Sequence, residues 1–223
     1  MSYEIIKFAH VLLLVFWLGT DVGVLVLARK FRDASLAVET RLTLLHLAMV
    51  IDTLPRICFI VMLPVGVHLA NAGGLLRVGA PGMVGLWLLA AILLTVNMSA
   101  AKHIGAPLGA RLQRLNWAGL GIAGVVITGT GCAALLNGTP AMASWLAAKV
   151  VIYGLVYLFA IGIDWMFLPV GRLTGELAEK GSSEELEAGI TRTVDRTMWA
   201  VLAVYASTLA AAYICITKFS FYT

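Results

Sequence analysis

The chain has 223 residues, of which 61% are hydrophobic and only 13% charged, with a mean hydropathy of +0.93. So few charges cannot clothe a soluble globule, so an integral membrane protein is expected. The net charge of +4 falls in connections between apolar runs, which suits anionic lipid headgroups and not nucleic acid.

Six apolar segments are expected to be spans, at about 5–29, 43–70, 82–102, 117–137, 143–170 and 196–217. The expected fold is an all-α, polytopic transmembrane bundle forming one integral membrane domain. The first run follows Lys7 directly, is too long for a secretory h-region and lacks a small-x-small cleavage site. It reads as a retained span with Met1 kept. This run carries His10 and Asp21, eleven residues apart and only ~20° apart around a helix, with Trp17 on the same stripe. Ionisable groups at such depth are costly and turn toward a bundle interior, a cofactor or a water path.

The second segment carries His46 and His68, about 40° apart around a helix and on the order of 33 Å apart along it. Between them Asp52 and Arg56 stand four residues apart, the spacing of a same-face ion pair. Pro55 and Pro64 are expected to bend this span. The third segment ends at His103 and holds Asn97. The fourth is rich in glycine at 119, 121, 124, 129 and 131 which, with Gly19 and Gly23 of the first, form small faces for close packing. The fifth holds Asp164, and Lys149 near its start is expected to snorkel outward. The polar connection 171–195 is expected to carry a short surface helix, capped by Ser182 with Glu185 answering it.

Three connections are basic, around Arg29 to Arg41, Lys102 to Arg114 and Arg172 to Arg196; the two near Asn71 and Asn137 carry only Arg77. The positive-inside rule then puts both termini on the non-cytoplasmic side of a bacterial inner membrane, with 171–195 cytoplasmic. A faint repeat joins the ends of the second and fourth segments, each a glycine-bearing turn followed by a Trp-Leu helix start at Trp87 or Trp145. Cys58, Cys132 and Cys215 lie inside apolar runs and read as packing residues.

The four histidines allow two functional readings. In the first, His10 with His68 on the outer side and His46 with His103 on the inner side hold one or two b-type haems, with Arg56 on a propionate. The chain is then an electron-transfer subunit of a larger complex or a small quinone-linked oxidoreductase. In the second, no haem is bound, and His10, Asp21, Asp52 and Arg56 line a path for protons or a copper-like metal in a transporter or accessory subunit, with Asp164 a further inward-facing candidate for the proton path. As structure, each histidine is an interfacial or hydrogen-bonded residue and the Asp52/Arg56 pair fixes packing.

The string His10-x6-Trp17-Leu18-Gly19 resembles the first helix of a group of small bacterial membrane proteins: CopD-like copper-resistance proteins, the uncharacterised DUF2269 type and HemJ-type protoporphyrinogen oxidases. Ser144-Trp145-Leu146-Ala147-Ala148-Lys149 is similar to the Trp-Leu-x-x-Lys helix start of the HemJ type. The resemblance implies a helical bundle with haem b at His10 and redox chemistry linked to quinone. This chain departs from the HemJ pattern in having six spans, not about four, and no histidine later in the fifth.

Overall fold

A computed structural model describes residues 2–138 and 142–218; Met1, part of the connection after Asn137 and the last five residues lie outside it. The described residues form eight helices: α1 (Tyr3–Phe31), α2 (Val38–Ile51), α3 (Thr53–Ala72), α4 (Ala80–Lys102), α5 (Pro107–Asn137), α6 (Ser144–Phe167), α7 (Pro169–Lys180) and α8 (Glu184–Thr217). Taken as α1, α2 with α3, α4, α5, α6 with α7, and α8, they make six segments long and apolar enough to cross a bilayer. The protein is a six-span helical membrane bundle.

The second span is two helices because Pro55 has no N–H for the carbonyl of Ile51, and its ring crowds that turn. The chain stays compact at Asp52 (φ −59°, ψ −15°), where α2 ends and α3 begins. Pro64 lies inside α3 and removes a second helical bond without ending the helix. Several helices outrun the apolar segments that announced them. α5 starts ten residues before 117, with Pro107 in its first turn, where a missing N–H costs nothing.

The connection 171–195 is also helical, which corrects the short surface helix. It comprises α7 and the first three turns of α8, folded on each other across Gly181 (φ +77°). Val170, Leu173 and Leu177 of α7 meet Leu186, Ile190 and Val194 of α8, together with Phe31 and Leu45, in a second apolar core. The cap of α8 is Ser183, not Ser182: its Oγ accepts from the Leu186 N–H at 3.3 Å. The third helical position is therefore Leu186, so Glu185 cannot answer the cap. Ser182 donates instead to Glu187 at 2.7 Å.

The six spans close into a ring in chain order. α1 packs on α3, α3 on α4, α4 on α5, α5 on α6, α6 on α8, and α8 returns to α1. The α5/α6 pair approaches most closely where glycines face it. A Cβ on Gly154 would lie 2.5 Å from the Thr128 backbone nitrogen, and one on Gly131 2.9 Å from the Ala147 carbonyl. Gly19 and Gly23 of α1 have nothing within 4 Å among the described residues, so their small face meets no other described helix. Phe8, Val15, Val22, Ile92, Ile122, Val125 and Leu209 point out of the ring and form its lipid-facing surface.

Candidate functional site

Inside the ring the described polar side chains gather at two levels, separated by aromatic rings. The larger group lies nearer the basic connections. Arg56, in the first turn of α3, donates from Nε to Asp52 Oδ2 at 2.5 Å and from Nη2 to Asp164 Oδ1 of α6 at 3.1 Å. The expected pair forms, and Asp164 joins it. Two residues of α5 complete the Asp164 shell: Gln113 Nε2 and Trp117 Nε1 both donate to its Oδ2, at 2.8 and 3.2 Å. Asp21 reaches the same place from α1, next to Asp52 and Arg56, with the buried Tyr205 hydroxyl of α8 beside it.

These groups surround a cavity of about 90 Å³. All six spans contribute to its wall: Trp17 and Asp21 from α1, Asp52 and Arg56 at the α2/α3 break, Asn97 from α4, Leu120 from α5, Asp164 from α6 and Val204 from α8. Such a volume holds a few water molecules and is too small for a macrocycle, since drug-sized ligand pockets run to about 300–1,000 Å³. At its edge Asn97 donates to Asn116 of α5 at 3.3 Å, and both amides are buried.

Above the cavity Trp17, Phe59, Tyr153 and Tyr157 stack with ring centroids 4.4–6.1 Å apart. Tyr153 donates to the Phe59 carbonyl at 2.5 Å. Beyond them lies the second group. His10 packs over Gly66 of α3, whose absent side chain makes room for the imidazole, and Lys149 of α6 brings Nζ to 3.5 Å from His10 Nε2. Lys149 therefore points inward, which corrects the expected snorkel. The buried imidazole offers it the acceptor that lipid does not. With Nε2 accepting from the ammonium, the proton of a neutral ring sits on Nδ1, which is buried without a partner.

The four histidines take different surroundings. His10 lies against Gly66, and His68, two residues further along α3, projects about 200° away around that helix. His46 sits on an exposed face of α2. His103 caps the end of α4, its Nδ1 2.8 Å from the Ser99 carbonyl. Among the described residues no three of His, Cys, Asp and Glu converge as a metal cage.

Sequence reasoning placed Asp21, Asp52, Arg56 and Asp164 on inner faces, and the structure brings all four together. It missed Gln113, Trp117 and Tyr205, and the inward turn of Lys149. Gln113 and Trp117 had one signal, an i, i+4 polar and indole pair at the head of an apolar run. Tyr205 had none to separate it from the other tyrosines of apolar segments. No family model matches the chain, and no curated protein or solved structure matches it.

Proposed function

We propose that the protein is a proton-handling membrane protein of the bacterial inner membrane, its basic connections cytoplasmic, in which Asp21, Asp52 and Asp164 exchange protons around the fixed charge of Arg56. One observation carries this reading: three carboxylates from different spans face a single guanidinium around a small cavity at the centre of the ring. Fully ionised, they exceed Arg56 by two negative charges, and a buried excess is relieved by taking up protons or cations. Asp52 and Asp164 are held by Arg56. Asp21 makes no bond to the guanidinium and is the carboxylate best placed to move a proton, with the Tyr205 hydroxyl as its neighbour. This is the transporter or accessory-subunit class, with protons as the moving species.

Reconstitution into liposomes with a trapped pH indicator tests it. Under an imposed potential, wild-type vesicles should acidify or alkalinise faster than empty ones, and Asp21→Asn should return the rate to that of empty vesicles. Unchanged flux in Asp21→Asn removes Asp21 from the path, and with it this reading.

A second reading, a haem-bearing redox subunit working with quinone or partner subunits, is favoured by the unpartnered Nδ1 of His10. For His10 to serve as an axial imidazole through Nδ1, its ring proton would have to move to Nε2, and the Lys149 ammonium would have to give up that nitrogen as its acceptor. Bound there, haem would supply one-electron transfer. The resemblance to the CopD-like, DUF2269 and HemJ-type group belongs to this reading and rests on the His10 and Lys149 strings. His10→Gln should abolish any Soret band in the purified protein; a full, unchanged band in the variant excludes His10 as the axial ligand.

A further inference from the structure

The central cavity has a feature that the proton reading leaves unused. Asn97 is only 5% exposed and lines the cavity, yet its amide oxygen has no hydrogen-bond partner. A buried carbonyl oxygen left unpaired costs about 1–3 kcal/mol, which a ligand that accepts its lone pairs would recover. The neighbouring oxygens differ in how far they are committed. Asp164 spends both, one on Arg56 and the other on Gln113 and Trp117. Asp52 spends Oδ2 on Arg56 and keeps Oδ1, while Asp21 gives neither oxygen to the guanidinium. The α2/α3 break lies beside Asp52, where Pro55 removes one helical hydrogen bond.

The uncommitted groups of the cavity wall are thus oxygens, an amide carbonyl and two carboxylates, beside an interrupted span; the buried Asn116 Nδ2, which also has no partner, does not line the cavity. Oxygen donors select hard cations. Interrupted membrane helices expose carbonyl ends that suit sodium. The choice between one charge and two follows from dehydration, whose cost rises with the square of the charge. A calcium ion takes six to eight oxygens, more than the amide oxygen of Asn97 and the oxygens that Asp21 and Asp52 keep from Arg56 supply. A sodium ion needs fewer, and the ~90 Å³ of space leaves room for one or two waters to complete its shell.

We propose that the central cavity is a sodium-binding site, with Asn97 Oδ1, Asp21 and the free oxygen of Asp52 as its protein ligands. It goes beyond the proton reading and can fail separately from it. Asn97 takes no part in the proton exchange, and proton flux through Asp21 does not require a metal ion.

The test uses the full-length protein in nanodiscs, titrated with radioactive sodium at constant ionic strength maintained by choline. Wild type should bind sodium saturably, and lithium should compete where choline does not. Asn97→Leu, which keeps the volume and removes the oxygen, should weaken binding on the order of tenfold. Asn97→Asp keeps an oxygen at the same place and should bind at least as well as wild type. Melting temperatures of both variants check that the bundle is intact. The proposal is overturned if wild type shows no saturable sodium binding, if Asn97→Leu binds as wild type does, or if both variants lose binding equally. Displacement of sodium by calcium at lower concentration than by sodium itself would also overturn it, by assigning the cavity to a divalent ion.

Discussion

Arg41 is the most completely buried charged residue described, and its surroundings explain how the chain tolerates it. Both terminal nitrogens donate to Glu187 at 2.7 Å, Nε donates to the Phe31 carbonyl at 2.8 Å, and the guanidinium lies over the Phe31 ring. Arg41→Ala removes two bonds from Glu187, which is partly exposed and keeps Ser182, and leaves the Phe31 carbonyl without its guanidinium donor, and should cost roughly 1–3 kcal/mol of stability. Arg41→Met with Glu187→Met, which removes both charges, should recover most of it. Thermal unfolding of the three proteins in one detergent measures both effects, and equal losses in the single and double variants would refute the argument. Nothing in the sequence set Arg41 apart from the other basic residues of its connection. Periodicity locates a side chain on its own helix, but it cannot say which residue of a distant helix will face it. Lys149 was misread for the same reason: its partner, His10, is 139 positions away.

Helix existence was legible because membrane crossing demands long apolar runs, and all six appear. Helix ends were less legible, because hydropathy marks where apolar residues stop and not where backbone hydrogen bonding stops. α5 and α8 each continue well past the apolar segment into basic or acidic turns that remain helical. The break in the second span was half visible. Pro55 announced a bend, but the division into α2 and α3 at Asp52 places the ion pair at the start of a helix, not in the middle of one. Glycine content marked α5 correctly as a closely packed helix. It gave the same signal for Gly19 and Gly23, which face no other described helix, because small size permits close approach without requiring it.

At the scale of the whole molecule, chain order and spatial order coincide: each span packs on the next, and α8 closes against α1. That arrangement brings one polar residue from nearly every span to a shared centre, so the cluster around Arg56 could be anticipated from depth alone, while its partnerships could not. Orientation across the bilayer rests on the basic connections. In a protein whose own cysteines are replaced, Leu75→Cys should react with an impermeant maleimide from outside the cell, and Glu185→Cys only after the membrane is opened. The reverse pattern would invert the topology and place the Arg41 and Glu187 clamp outside.

Asp21 has a consequence for how the chain is made. Its helix leaves the ribosome before Arg56 and Tyr205, its neighbours in the finished ring, have been translated. The helix must therefore partition from the translocon into lipid with its acid unmatched, at about 2.5–3.5 kcal/mol, against roughly −0.3 to −0.6 for each Leu, Ile, Val or Phe. α1 has the means to do so: its best window has a mean hydropathy of 2.4, the highest of the six spans. The segment holding α2 and α3, at 1.8, brings Asp52 and Arg56 in together and can enter as an internally neutralised pair. The order of synthesis thus accounts for why the helix with the lone acid is also the most apolar.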